Sequence, residues 1–528
     1  MALPESGGAF PPAPFDDAYR EHRVHNAWYT GDAADLATIY QQNNMTRSTS
    51  MSNGLIGRVA RFFWGRPNVQ QNQKLHIPAA ADVSRTMADL LFSQGATFAV
   101  PEEHPGNHKP IQDRLDLLFN SAETAATLLE SAEICSALGG TYQRLWWDTE
   151  IADQVMLGSV SSDAAIPTWR YNRLSAVTFW TKVLDENGIV LRHLERHEKG
   201  RILHGLYQGE SGTLGRSIPL KESPDTEWAS KLVDSEGGIP TGVDGLTACY
   251  IPNVRPNRKW RSSPGLSQLG RSDFDGLEPA FDALDEAYTS WMRDLDLGKA
   301  RLFVDEGLLK SGAPGKGGQF DPEQSIFTPL AEQLGSGMNG SSTGVQANQF
   351  SIRWQEHSQT CAELLNVILR GAGLSSNNFS ESALTVGVQT ATEVNAKDKL
   401  SERTRAKKIN YWKAGLRPLI FTAMQIDNDL FGSGVELEEL PDLNFPTRST
   451  QSPAELANAL ASLRAAQVIS TQQAVIEQHP DWSKEEIAAE VSLIQKQITA
   501  EMTPPGEPGE PDPDTDPDKD PFADPSAA

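Results

Sequence analysis

From Asp273 to Tyr411 the apolar positions fall into three helical runs, separated by glycine-rich and polar stretches. Along the first run Phe274, Leu277, Phe281, Leu284, Tyr288, Trp291 and Leu295 recur at alternating steps of three and four, a narrow stripe that seats against a neighbouring helix. Asp273, Asp275 and Glu278 crowd its first turns, where negative charge complements the helix dipole. Pro279 predicts that the regular helix either starts or kinks there. Lys299 to Val304 then reads as a strand, 312–318 as a glycine-rich loop, Phe320 to Leu330 as a second extended piece and 335–344 as another loop, an insert too small to fold alone. A second helix from Ser351 to Gly371 brings the chain back, so two long helices bracket a strand-bearing tip. The polar loop SSNNFSESALTVGVQ follows, and a third helix runs from near Thr392 to about Asp427 with a bend predicted at Pro418.

Upstream, residues 1–45 read as an arm with a short helical piece near Ala33 to Gln42, followed by an apolar patch at Phe62, Phe63 and Trp64. Residues 76–94 predict a helix with Pro78 in its first turn and Val83, Met87, Leu90 and Leu91 on one face. A short strand at Thr97 to Val100 and helices at Ile111 to Phe119 and Glu123 to Leu138 follow. The period then drops to two. Thr141 to Asp148, Ile166 to Asn172, Ala176 to Leu184, Ile189 to Glu198 and Arg201 to Gln208 carry β-branched and aromatic residues, with turns such as Glu186-Asn187-Gly188 between them. Residues 46–271 are therefore expected to form one α+β unit with an antiparallel sheet. Near the other end, Ser452-Pro-Ala-Glu455 and Ser483-Lys-Glu-Glu486 match the capping box, which predicts three short helices between Ser452 and Ile498.

The 528 residues allow several compact units, and no run of about 18 apolar residues is present to span a bilayer. The N-terminal residues lack the basic and apolar regions of a signal or transit peptide, so the protein is expected to stay where it is made. Cys135, Cys249 and Cys361 stand far apart in apolar contexts and suggest buried thiols in a reducing compartment. A formal charge of −24 argues against tight, indiscriminate nucleic-acid binding, but not against DNA as a passenger over a surface that holds phosphates weakly. Part of that charge sits in residues 504–528, a Pro-rich acidic stretch that reads as a disordered tail.

Candidate chemistry is sparse. Gly312-Ala-Pro-Gly-Lys316 is too short for a P-loop and lacks the Ser or Thr that would hold magnesium. His193, His197 and His204 lie in a strand-like stretch, where four residues span about 13 Å, too far for one ion, so they read as surface histidines. Asp282, Asp285 and Glu286 read as the solvated back of an amphipathic helix. No catalytic residue, metal site or cofactor is expected. The third helix stands out: Glu393 to Arg417 carries eight cations against three carboxylates. At 100° per residue, Val394, Ile409, Trp412, Leu416, Leu419 and Ile420 gather on one side, with Lys399, Arg403, Lys407 and Arg417 roughly opposite. Two partners suit that basic face: a DNA backbone, or carboxylates of an adjacent subunit, since Asp273 to Asp296 holds eight acids against Arg293.

The segments PAAADVSRTMADLLFSQ (78–94), SDFDGLEPAFDALDEAYTSWMRDLDLGKARLFV (272–304), QFSIRWQEHSQTCAELLNVILRGAGL (349–374) and TATEVNAKDKLSERTRAKKINYW (390–412), in this order, resemble portal proteins of long-tailed, siphovirus-type bacteriophages, particularly those infecting actinobacteria. The resemblance implies an α+β portal fold in a ring-shaped homo-oligomer, usually of twelve subunits. It places a wing at 46–271, stem helices at 272–298 and 350–372, a small strand-containing clip at 299–349, a tunnel loop at 373–391, a kinked tunnel helix with wing return at 392–449, and a helical crown at 450–502. The implied role is structural: a ring at a unique capsid vertex, assembled in the host cytoplasm, through which double-stranded DNA is packaged and ejected. A terminase motor, a head-tail adaptor and the major capsid protein are the implied partners, with no membrane. Ser375, Ser376, Asn377 and Asn378 become candidates to touch DNA, and the Phe274 to Leu295 stripe a candidate oligomer seam. A virion-associated DNA-processing enzyme, or another head structural or scaffolding protein, are the alternatives.

Overall fold

The computed structural model describes residues 3–52, 74–105, 107–297, 301–304, 310–311, 318–319, 345–348, 353–375, 391–446, 453–479, 482 and 484–502. They divide into two compact units, Met1–Phe445 and Pro446–Ala528. The apolar patch at Phe62 to Trp64, the extended piece at Phe320 to Leu330, the loop at 335–344, Ser376, Asn377, Asn378, both capping-box serines and the acidic tail lie outside the described residues.

The first unit opens with α1 (Phe15–Thr30) and α2 (Ala33–Ser52). The N-terminal segment packs into the core. Trp28 is fully buried, with its ring centroid 5.5 Å from Phe281 and 5.9 Å from Tyr40. The Tyr19 hydroxyl donates to the Ala165 carbonyl at 2.9 Å and accepts from Trp180 Nε1 at the same distance. α3 (Ala79–Phe92), β1 (Thr97–Ala99), α4 (His108–Phe119) and α5 (Ala122–Leu138) follow where the periodicity predicts them. Ser121 caps α5 by accepting from Thr124 N–H, and Gly139 closes it in the left-handed conformation that favours glycine.

The strands between Gly140 and Pro252 form two antiparallel sheets rather than the expected one. β2 (Gly140–Asp148) and β3 (Ala152–Ser161) join β10 (Ala248–Pro252) in the order β10-β2-β3. β4 (Ala165–Arg170), β5 (Arg173–Glu186), β6 (Ile189–Glu198), β7 (Arg201–Gly209) and β8 (Arg216–Ile218) run in sequence order, with β9 (Gly238–Pro240) also paired to β7. Between β8 and β9 lies α6 (Pro224–Leu232). Leu145, Val155 and Ile251 of the smaller sheet pack with α3, α4 and α5 in one apolar core.

α7 (Glu278–Leu297) begins at Glu278, so Pro279 falls in its first turn, where its missing N–H costs no intrahelical bond. Beyond it, β11 (Arg301–Val304) pairs with β14 (Val345–Asn348), and β12 (Lys310–Ser311) with β13 (Gly318–Gln319). α8 (Trp354–Ala372) returns the chain and ends on Gly373 in the left-handed conformation. α9 (Ala391–Phe431) continues through Pro418 and lies against β10, where a Cβ at Gly415 would come 2.8 Å from Ile251. β15 (Asp442–Asn444) closes the unit by pairing with β1. The second unit holds α10 (Pro453–Ala465), α11 (Thr471–Gln478, capped by Ser470) and α12 (Lys484–Met502), in the region where three short helices are expected. No helix among the described residues is long and apolar enough to cross a membrane.

Candidate functional site

Three long helices carry the predicted site residues, and their shared base sets what each face can do. The stripe on α7 and the turn before it divides in two. Phe274, Leu277, Phe281 and Leu284 are buried within this chain, in a core shared with α1, α2, α3 and α8. They are covered by neighbours of the same chain, so the near half of the expected seam is not available to another subunit. There Tyr288 and Trp291 are half-buried and Leu295 is exposed. At the base the two helices touch closely, and a Cβ at Gly371 would overlap Leu277. Farther out, His357 stacks on Trp291 at 6.0 Å and places Nε2 2.9 Å from an Asp294 oxygen, which also accepts from Arg353.

The acidic residues of this region are anchors rather than a solvated back. Asp285, 1% exposed, accepts from Tyr40 Oη at 2.6 Å and Ile77 N–H at 2.8 Å, and lies 3.0 Å from His76 Nδ1. Asp282, also buried, pairs with Lys74 at 2.7 Å, and Glu286 reaches the same ammonium at 3.0 Å. Glu278 meets His25, Asp275 meets Arg271, and Asp296 has its own contact. With Asp273 and Asp294 included, all eight acids between Asp273 and Asp296 have partners inside the chain.

α9 is held by its own polar residues. Lys408, 2% exposed, donates from Nζ to Asp273 at 2.5 Å and to Asn253 Oδ1 at 2.7 Å, while Ser136 Oγ donates to the same Asp273 oxygen. Arg405 Nε donates to the Leu90 carbonyl, and Thr404 Oγ1 to the Gly373 carbonyl. Arg114 grips the buried Asp427 through two bonds of 2.6 and 2.8 Å, and this contact holds its guanidinium above the ordinary range. Below these ties Trp412, Leu416, Leu419 and Ile420 enter the main core beside Ile409. Val394 is helical, and Lys399, Arg403 and Lys407 are exposed with no ion pair or hydrogen bond among the described residues. Arg417 belongs elsewhere. It donates to the carbonyls of Leu440 and Pro441 and pairs with Asp442 at 3.0 Å, which fixes the segment leading into β15. Ser375 is buried, its N–H donating to Ser401 Oγ, so that residue anchors the start of the polar loop.

The buried Lys408 escaped sequence reasoning because it adjoins Lys407 in a basic run; its four-residue spacing from Trp412 is the signal that turns it inward. The histidines are likewise not on the surface. His197 and His204 are buried, and His193 Nε2 lies 3.2 Å from His204 Nδ1 with the rings stacked. His197 bridges Thr247 and Glu195, and Glu195 also pairs with Arg144 across the two sheets. Burial works to raise the Glu195 carboxyl, but the His197 bond and the Arg144 charge outweigh it and hold the group well below the usual range. Burial pushes His204 down to about 4, against the pull of Glu195. No group of three or more potential ligands among the described residues is placed to hold a metal ion.

The arrangement is a mixed helix and sheet body with two long helices rooted in it and a third helix baring a row of cations. A family model described as "Phage portal protein, SPP1 Gp6-like" matches residues 232–503. That span is more than half of the chain, and the protein belongs to this family of structural proteins and has a portal function. Among solved structures, the chain is similar to the neck of a native GTA particle computed with C12 symmetry, at 12% identity over 76% of this chain and 89% of that one, with a TM-score of 0.36. It is also similar to the neck of an empty GTA particle computed with C6 symmetry, at 12% identity over 79% and 94%, with a TM-score of 0.37. A third likeness is to a chain of the virion of the native gene transfer agent particle, at 13% identity over 80% and 99%, with a TM-score of 0.35. No curated protein matches.

Proposed function

We propose that twelve copies of this portal protein close head to tail into a ring at one capsid vertex of a long-tailed phage of actinobacteria, with double-stranded DNA passing through the centre. On this reading 46–271 is the wing, to which 1–45 is joined, 272–298 and 350–372 are the stem, and 299–349 is the clip that meets the terminase motor and the head-tail adaptor. Residues 373–391 form the tunnel loop, 392–449 the tunnel helix and wing return, and 450–502 the crown. The capsid protein surrounds the wing. The subunit itself does no covalent chemistry, and ATP is consumed by the separate motor.

One observation carries the choice of DNA for the basic face. The acids from Asp273 to Asp296 all have partners within their own chain, so they are poor candidates to meet the cations of an adjacent subunit. Lys399, Arg403 and Lys407 stand four residues apart, about 6 Å per step along the helix, and lack partners among the described residues. Such a row suits phosphates, whose contacts carry no sequence information, and three cations per subunit keep the grip weak enough for sliding. Intersubunit packing falls to Tyr288, Trp291 and Leu295. The test is the triple change of Lys399, Arg403 and Lys407 to Glu. The subunit should fold and form rings in electron micrographs, while DNA packaging in infected cells falls at least tenfold. Wild-type packaging by those rings would remove the row from the mechanism, and loss of the rings would assign it to assembly instead.

A further inference from the structure

A cavity of about 310 Å³ opens where the two sheets part, beyond the Arg144–Glu195 bridge. Its walls are mostly apolar and include the indoles of Trp146 and Trp228. Three apolar side chains mark its mouth: Trp228 is 42% exposed, Leu232 50% and Ile151 65%. Exposed large apolar residues grouped around a concave site, rather than scattered singly, are the mark of a binding surface. They lie on separate elements, α6 and the β2–β3 turn, so no single helix face accounts for them.

The charges select the occupant. Arg144 is the sole cation among the described lining residues, and Glu195 already neutralises it. His204 is uncharged at neutral pH, since burial pushes it to about 4. Asp148 therefore leaves the wall with a negative charge that no cation among the described residues pairs, its Oδ1 accepting the Glu150 N–H. Indole faces attract cations, and a long basic side chain can bury its methylenes while its head stays near a carboxylate. We infer that this crevice is a docking site for a protein partner that inserts a Lys or Arg flanked by apolar residues, the stem between Trp146 and Trp228 and the charge toward Asp148.

This inference is independent of the DNA reading, since no residue is shared with it. The probe is the peptide acetyl-Ala-Leu-Arg-Leu-Ala-amide, titrated calorimetrically into the assembled full-length chain. Versions with Glu or norleucine in place of Arg serve as controls. The Arg peptide should bind at least tenfold more tightly than either control, and Trp228→Ala or Asp148→Asn should each weaken it at least fivefold, with Asp148→Asn leaving the melting temperature unchanged. Equal binding of the three peptides, undiminished binding by both variants, or no binding by the wild type would overturn the proposal. Dissociation of the assembly by either substitution would also overturn it, because the occupant would then be a second copy of this chain.

Discussion

The contact between Lys408 and Asp273 joins α9 to the turn that launches α7, and removing one partner should be far more harmful than removing both. Lys408→Met retains the length and apolar stem of the side chain but leaves the Asp273 carboxylate, 8% exposed, with only the Ser136 hydroxyl and its own surroundings. A buried charge stripped of its counter-ion costs about 3–5 kcal/mol. For a cooperative unit as large as Met1–Phe445, 1 kcal/mol corresponds to roughly 1 °C, so the single variant should melt about 3–5 °C below the wild type. The companion Asp273→Asn removes the charge that Lys408 requires and should cost a similar amount. The double variant restores neutrality and should recover at least half of the summed loss. Scanning calorimetry of all four proteins at one protomer concentration gives the cycle. A Lys408→Met protein within 1 °C of wild type, or strictly additive losses in the double variant, would refute the reasoning.

Other expectations follow from neighbouring contacts. Asp285→Ala deprives Tyr40, His76 and Ile77 of a shared acceptor and should destabilise the protein by about 3 kcal/mol, read as a lowered melting temperature, while Glu286→Ala, at an exposed carboxylate, should change it little. His204 has a folded-state pKa of about 4, below its ordinary 6.5, so the neutral ring is favoured by the fold. Its contribution is complete above pH 6.5 and is lost as pH falls through 4, at most about 3 kcal/mol. Melting curves at pH 7.5 and 4.5 should therefore show a smaller acid penalty for His204→Asn than for wild type, and identical penalties would exclude this linkage.

Periodicity made the long elements legible, since α3, α5, α7 and α8 have apolar positions that repeat cleanly over several turns. It could not say whose surface receives them. Phe281 and Tyr288 belong to one stripe in the sequence, yet Phe281 meets Trp28 of the same chain while Tyr288 is half-buried. α1 was hidden because FDDAYREHRVHNAWYT is polar at most positions, and its burial depends on a few aromatic residues meeting distant partners. β3 is illegible for a related reason: ADQVMLGSVS has a glycine and small residues where a strand would show branched ones, and its pairing with β2 supplies the order. The basic helix was legible as a composition. Its division into inward Lys408 and outward Lys407 needed the fold, because one residue turns the side chain by about 100°.

Leu277 and Gly371 leave no gap between α7 and α8 at their base, whereas near Asp294 the helices are linked by Arg353 and His357 at a more open surface. Such a pair is packed tightly through apolar contact at its root and held at its far end by charge and by the β11–β14 pairing, so the root is the part shielded from salt and solvent. Amide hydrogen exchange should accordingly slow step by step along α8 from Trp354 toward Ala372.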